Sequence, residues 1–370
     1  MAIAWKSRPT SNERRMIELR GVEVAAGEFA LREASMIVPD GQYGVIIGTA
    51  GAGKTTLLEA IAGIRVPRAG TVRLGGRDVT ALAPEERGVG MVYQHDYLFP
   101  HLDAGDNVRY GAASESASRE AAALTGVEPL LLRDVHTLSG GERQLISLAR
   151  ALATQPRFLL LDEPFVALDP PRRAATRRMV RTLQRERGIT VLHVTHDVAE
   201  GALLGDVVAV LDAGRVLQTG PAPDVFSRPI SPRVAELLGA ENVIAGSTSQ
   251  TSDGLVAITA GALTLFAVAD DVKERGEGDT RAASISGPVH AVIRADEIVL
   301  SRTAAPSSAR NSFPATVTAI GAGIALRRIE LDVSGTPLVA IVTASAVAEL
   351  KLSPGAKVTA SFKATAVHLC

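Results

Sequence analysis

A chain of 370 residues with 46% hydrophobic content can bury more than one core, and 39 basic against 40 acidic side chains leave a net charge of -1. That balance excludes recruitment of nucleic acid or anionic membrane by whole-chain attraction, so recognition must come from local sites. A single cysteine, Cys370, excludes a disulfide framework and suits a reducing compartment. Charges recur through Met1 to Arg15 without an apolar core, which predicts a short disordered tail (1–15) and neither a signal peptide nor an anchor. No run reaches the roughly 18 apolar residues of a spanning helix, so membrane association would go through a partner.

From residue 16 to about 238, apolar strand-like runs alternate with helical patterns, which predicts an α/β domain with a largely parallel sheet. The run Tyr43 to Ile47 leads into Gly48-Thr49-Ala50-Gly51-Ala52-Gly53-Lys54-Thr55, and a helical pattern from Thr56 to Ile64 follows. This is the phosphate-binding G-x-x-x-x-G-K-[ST] loop in its full strand-loop-helix context. Glycines let backbone amides crowd a phosphate, the helix N-terminus adds partial positive charge, Lys54 reaches terminal phosphates, and the Thr55 hydroxyl can ligate Mg²⁺. The strand Gly90 to Val92 precedes Tyr93-Gln94 and the apolar loop Tyr97, Leu98, Phe99 and Pro100, which fits a partner surface or local core packing.

Further along, Leu138-Ser139-Gly140-Gly141-Glu142-Arg143-Gln144 precedes a helical pattern, Leu145 to Ala153, so its serine and glycines sit at a second anion-binding helix end. The buried run Phe158 to Leu161 ends in Asp162-Glu163-Pro164, two carboxylates at the sheet edge where open α/β folds bind ligands. Asp162 suits a Mg²⁺ shell and Glu163 could polarise an attacking water. Arg172, Arg173, Arg177, Arg178, Arg181, Arg185 and Arg187 recur on one helix; without interleaved aromatics this reads as a solvated face and not a nucleic-acid site. Thr190 to Val194 ends in Thr195-His196-Asp197, and His193 within that run reads as a structural histidine.

The pattern breaks near Gly239, and the Gly-, Ser- and Thr-rich stretch up to Gly254 predicts a linker over 239–254. Beyond it come short strands: Ala291 to Leu300, the alternation of Ile329, Leu331 and Val333 with charged residues, and Val358 to Leu369. A half-buried β pattern without long helices predicts a small barrel over 255–370.

Taken in order, these motifs resemble the ATP-binding cassette ATPases. The resemblance implies a P-loop NTPase fold with a helical subdomain, followed by an OB-like barrel, and the cofactors ATP and Mg²⁺. It implies that Gly48 to Thr55, Thr56 and Asp169 bind nucleotide, that Gln94, Thr55 and Asp162 serve the metal, and that Glu163, His196 and Gln94 serve hydrolysis. Ser139, Gly140, Gly141 and Glu142 would close over nucleotide held by a second copy. Ala167-Leu168-Asp169 resembles the loop linking paired sites, although Val166 stands where the family usually has serine. Phe29 is the candidate for stacking on adenine, or a core residue of its strand.

Residues 307–369 are similar to the Mop-type molybdate-binding domain, carried by Ser308-Ala-Arg310-Asn311, Ala340-Ile-Val-Thr343 and Phe362-Lys363-Ala364-Thr365. Phe29-Ala-Leu-Arg, Arg87-Gly-Val-Gly and Leu192-His-Val-Thr-His196 likewise resemble molybdate and tungstate importers. A tetrahedral dianion wants a guanidinium fork, an ammonium and neutral donors, and Arg310, Lys363, Ser308 and Thr343 supply that set, with Ser345 and Ala364 beside them. The family often has serine where Ala346 stands. Implied partners are a second copy, two membrane permease subunits and, through them, an extracytoplasmic oxyanion-binding protein, at the cytoplasmic face of the membrane and with no nucleic acid. The alternative is an import ATPase for sulfate, iron, polyamine or sugar with a purely structural barrel.

Overall fold

The computed structural model describes residues 16–27, 29–250, 254–269, 287–303 and 307–370; the tail expected over Met1 to Arg15 lies outside them. Contacts divide the chain into Met1–Val225 and Phe226–Cys370. In chain order the first unit carries β1 (Ile17–Ala26), β2 (Phe29–Val38), β3 (Tyr43–Ile47), α1 (Lys54–Ala62), β4 (Ala69–Leu74), β5 (Arg77–Asp78), β6 (Val89–Val92), α2 (Ala104–Arg109), α3 (Glu115–Thr125), α4 (Gly140–Ala153), β7 (Phe158–Asp162), α5 (Pro170–Arg187), β8 (Thr190–Thr195), α6 (Val198–Leu204), β9 (Val207–Asp212) and β10 (Arg215–Pro221).

A six-stranded sheet of order β10-β9-β3-β8-β7-β6 forms the centre, parallel except for β10. β3, β7 and β8 are buried at every position, as parallel strands covered on both faces must be. A second, antiparallel sheet of order β2-β1-β4-β5 packs over α1. Leu57, Leu58 and Ile61 of α1 share one buried cluster with Ile17, Leu19 and Val72 of this sheet and with Ile46, Leu160 and Leu192 of the central one. Each such aliphatic side chain contributes about 1.5–3 kcal/mol on burial, so the helix that opens at the phosphate loop is held from two sides.

Helices α2, α3 and α4 form the helical subdomain. Helix α4 begins at Gly140, five residues before the expected Leu145, because Ser139 caps it. The Ser139 hydroxyl accepts from the Glu142 amide at 3.3 Å, and the Glu142 carboxylate accepts from the Ser139 amide at 2.7 Å. This reciprocal box draws the glycines into the first helical turn.

Arg172, Arg178 and Arg185 of α5 are exposed as expected, but Arg173, Arg177, Arg181 and Arg187 depart from the solvated face. Arg173 donates to the carbonyl of Leu168, Arg177 lies 3.8 Å from Glu200, Arg181 forms a two-pronged pair with Asp206, and Arg187 pairs with Glu120. Only about a fifth of the Arg177, Arg181 and Arg187 side chains is exposed. Their long stems lie along apolar surface while the guanidinium groups tether α5, which a helical-wheel count of charges does not reveal.

The second unit contains β11 (Asn242–Gln250), β12 (Leu255–Ala260), β13 (Leu263–Val268), β14 (Gly287–Ile293), β15 (Val299–Ser301), β16 (Asn311–Ile320), β17 (Leu326–Val333), β18 (Thr336–Thr343), a short helix Ala344–Glu349, β19 (Lys357–Phe362) and β20 (Val367–Leu369). They make two curled antiparallel sheets, β13-β12-β11-β14-β20 and β15-β19-β16-β17-β18, around a shared core that includes Ile329, Leu331 and Val333. This is the small barrel that the alternation predicts, of the OB-like kind that the family resemblance implies.

Three expectations are corrected. The linker placed at 239–254 is largely β11, the middle strand of its sheet. Its glycine is a packing residue: a Cβ on Gly246 would meet Ile258 Cγ2 at 2.7 Å and the Thr259 carbonyl oxygen at 2.8 Å. The run Ala291 to Leu300 is broken by a turn at Ala295–Glu297, where Arg294 pairs with Asp296 at 2.8 Å. Val358 to Leu369 is broken at Ala364–Ala366, so its second half joins the other sheet.

Candidate active site

The parallel order β3-β8-β7-β6 brings four strand ends together, and each end carries a motif. After β3 comes the glycine loop, after β8 His196, after β7 Glu163, and after β6 Tyr93 and Gln94. A cavity of about 700 Å³ opens at this edge, lined by Gly51, Gly53, Lys54, Thr55, Thr56, Gln94, Asp162, Glu163, His196 and Phe29, with Ala26 and Ala50 completing it. That is the carboxyl edge at which open α/β sheets bind ligands.

The glycine loop presents donors. Gly51 and Gly53 have φ of 79° and 101°, conformations that side chains rarely tolerate. Gly53 occupies the cap position of α1 and has no side chain to cap the first-turn amides. Lys54, 8% exposed, donates to the carbonyls of Gly48 at 2.8 Å and Thr49 at 3.1 Å. Phe29 lies against this loop: a Cβ on Gly53 would meet its ring at 2.5 Å. Phe29 thus both packs and lines the cavity.

Acidic groups face these donors. Thr55 donates to Asp162 Oδ2 at 2.7 Å. Burial pushes the Asp162 carboxyl above the ordinary range, opposed by the Thr55 hydrogen bond, raised further by neighbouring Glu163 and opposed by Lys54. Glu163 adopts a φ of 46°, and its amide donates to the Val194 carbonyl on the adjacent strand at 3.0 Å. The left-handed backbone turns its carboxylate back over the cavity. Its Oε1 lies 3.7 Å from Lys54 Nζ and 2.9 Å from His196 Nδ1. An ionised carboxylate only accepts, so the His196 Nδ1 carries hydrogen and Nε2 is left for a ligand. Uncapped amides, a buried lysine and a hydroxyl-carboxylate pair suit a Mg²⁺-nucleotide, which brings its own oxygens and needs few protein ligands.

The structure does not bring every expected residue here. Ser139, Gly140, Gly141 and Glu142 do not line the cavity; Ser139 and Gly140 are exposed, and Gly141 and Glu142 are half-buried. Gly141 instead touches the linking loop, since a Cβ there would meet the Ala167 carbonyl oxygen at 3.0 Å. Asp169 caps α5, accepting from the Arg172 amide at 2.9 Å, and is also away from the cavity. Helix α4 grips the loop after β6: Gln144 donates to Tyr93 O at 3.1 Å, Arg143 pairs with Asp96 at 2.8 Å, and Arg150 donates to Tyr97 O at 3.1 Å while lying over the Phe99 ring. Phe99 is therefore local packing, whereas Tyr97 stays 64% exposed.

In the second unit the oxyanion set is divided. Arg310 and Lys363 flank the rung Asn311–Phe362 at one end of β16, with Ser308 and Ala364 nearby. Thr343 faces Leu326 beyond the rung Ile320–Ile329 at the other end, and its hydroxyl lies 2.9 Å from that of Ser345. Nine residues of strand separate those rungs, about 30 Å along β16. One chain does not bring the set together, because motifs that follow successive antiparallel strands fall at opposite ends. Sequence reasoning also passed over Glu200, a buried carboxylate beneath Glu163, whose only signal is its place in the first turn of α6, right after the histidine motif.

Fold and site together define a P-loop nucleotide-binding ATPase. Residues 31–166 match the ABC transporter family and residues 307–369 the TOBE domain. The chain is 37% identical over 362 residues to a molybdate/tungstate import ATP-binding protein, WtpC, of Pyrococcus abyssi, covering 96% of this chain and all of that one. It is 36% identical to a sulfate/thiosulfate import ATP-binding protein, CysA 2, of Chromobacterium violaceum, covering 83% and 81%. Among solved structures, the ATP-binding cassette MJ0796, a dimer in a post-hydrolysis state bound to ADP and Pi, superposes with a TM-score of 0.51 at 28% identity, over 56% of this chain and 98% of that one. The chain belongs to the ATP-binding cassette transporter family, as an import ATPase with a C-terminal TOBE domain.

Proposed function

We propose that this ATPase powers import of molybdate or tungstate, as two copies beneath two membrane permease subunits at the cytoplasmic face. An extracytoplasmic oxyanion-binding protein would feed the permease. The cargo reading is supported by likeness to the molybdate/tungstate relative across 96% of the chain, the second unit included. The observation that carries the chemistry is Glu163, turned over the cavity between Lys54 and His196.

In this reading Lys54 and the amides of Gly51 to Thr56 grip the phosphates, and Phe29 stacks on the adenine. Thr55, Asp162 and Gln94 hold Mg²⁺, which when bound neutralises charge developing on the phosphates. Glu163 orients the attacking water, and His196, fixed through Nδ1, presents Nε2 to the γ-phosphate. Ser139 and Gly140, exposed at the start of α4, and the half-buried Gly141 and Glu142 beside them close over the partner copy's nucleotide, and Asp169 borders that junction. Arg310, Lys363 and Ser308 of one copy combine with Thr343 and Ser345 of the other in holding cytoplasmic oxyanion, which slows hydrolysis.

Deleting the gene from its host and measuring cellular molybdenum, tungsten and sulfur tests the cargo. Loss of molybdenum or tungsten at constant sulfur is expected. Loss of sulfur alone would move the protein to the sulfate class that its second relative represents, with a purely structural barrel; unchanged levels of all three would reject both oxyanion readings.

A further inference from the structure

Beneath Glu163 lies a buried polar chain that binding and hydrolysis as described leave unused. Thr195 is fully buried, and its hydroxyl accepts from the Asp197 amide at 3.0 Å. That hydroxyl has one proton to give, with two carboxylates in reach: Glu200 Oε2 at 3.1 Å and Glu163 Oε2 at 3.5 Å. The shorter contact goes to Glu200.

Glu200 is held in turn. It is 5% exposed, with Arg177 at 3.8 Å and His193 Nε2 at 3.6 Å. His193 is fully buried, and its Nδ1 lies 3.2 Å from the Tyr43 hydroxyl. Burial keeps that phenol protonated, so it donates to Nδ1 and the imidazole carries its own hydrogen on Nε2, aimed at Glu200. Among the described residues His193 Nε2 otherwise has no hydrogen-bond partner. Arg177 and His193 thus hold Glu200 in place from two sides, and the shorter contact directs the Thr195 proton to it.

We propose that Glu200 is a positioning residue for Glu163: by drawing the Thr195 proton to itself, it leaves Glu163 Oε2 free to meet the attacking water. This rests on the reading of Glu163 as the water-orienting carboxylate. Without the pull of Glu200, the Thr195 proton turns to Glu163 and occupies that oxygen. Lys54 and His196 remain on Oε1, so nucleotide binding is untouched.

The test is a double-substitution cycle on the full chain, with phosphate release measured at saturating ATP and Mg²⁺. Glu200→Gln should lower kcat about tenfold with KM for ATP unchanged. In a Thr195→Val background, which removes the proton but keeps the shape, Glu200→Gln should have no further effect; in Thr195→Ser, which keeps the hydroxyl, the tenfold loss should return. If Glu200→Gln fails to fold, Glu200→Asp, which withdraws the acceptor and keeps the charge, must show the same loss with the same cancellation. A native kcat, or an equal loss with and without the Thr195 hydroxyl, overturns the proposal. Glu163→Gln in parallel separates the failures: native hydrolysis there defeats the water-orienting reading itself, whereas a dead Glu163→Gln beside an additive cycle defeats only the role of Glu200.

Discussion

The nucleotide site and the oxyanion set are both built from short polar motifs at strand ends, yet the chain gathers the first at one edge and leaves the second apart. At the first, four adjacent parallel strands deliver Lys54, Gln94, Glu163 and His196 to one edge, and Lys54, Asp162 and Glu163 are nearly buried there. At the second, Arg310 and Lys363 sit at one end of β16 and Thr343 at the other, all exposed. Parallel strands share a direction, so their carboxyl ends converge; antiparallel strands alternate, so motifs that follow successive strands fall at opposite ends. A parallel sheet gathers its motifs at one edge, whereas these antiparallel strands hold theirs apart.

Substitutions can break or sharpen that contrast. The largest effect belongs to Glu163→Gln: kcat should fall by about 10²–10³-fold while ATP binding persists and a dimer accumulates. Phosphate release and gel filtration check this, and hydrolysis at the native rate would remove Glu163 from its role. Lys54→Ala removes a charged donor, worth about 1.5–3 kcal/mol, so nucleotide affinity in calorimetry should drop roughly 10- to 150-fold.

Arg150→Ala strips the loop after β6 of its bonds to Asp96 and Tyr97 and of the cation over Phe99. We expect a loss of about 1–3 kcal/mol in urea unfolding; an unchanged midpoint would mean that the loop is held elsewhere.

On the divided side, millimolar molybdate should slow hydrolysis by the reconstituted transporter, and Arg310→Ala and Thr343→Ala should each weaken that slowing about tenfold or more. Their mixture, in which one copy of each pair carries each change, should recover part of it. Equal insensitivity of the unsubstituted protein would leave the barrel structural.

The last effect is on acid stability. Burial, with Arg177 nearby, pushes the His193 imidazole down to about 3, so it stays neutral in the folded chain. Unfolded, it takes up a proton near pH 6.5, so stability falls as pH drops from about 6.5 towards 3, by at most about 1.4 kcal/mol per unit. His193→Leu should flatten that slope in Tm between about pH 5 and 6.5.

The phosphate loop, its flanking strand and helix, the paired carboxylates, and the barrel's alternation at Ile329, Leu331 and Val333 were legible from residues 43–55, 158–163 and 329–333, because each is local. Periodicity and glycine placement act over a few residues and survive any tertiary arrangement. Tertiary structure alone decided the rest. It made a strand of the supposed linker because Gly246 lies close against its neighbour strand, and turned Arg177 and Arg181 of α5 inward to Glu200 and Asp206. It also set Glu200 beneath Glu163, and parted Thr343 from Arg310. Such facts depend on which distant segments meet, and a carboxylate becomes a partner, a tether or a site through what burial places beside it.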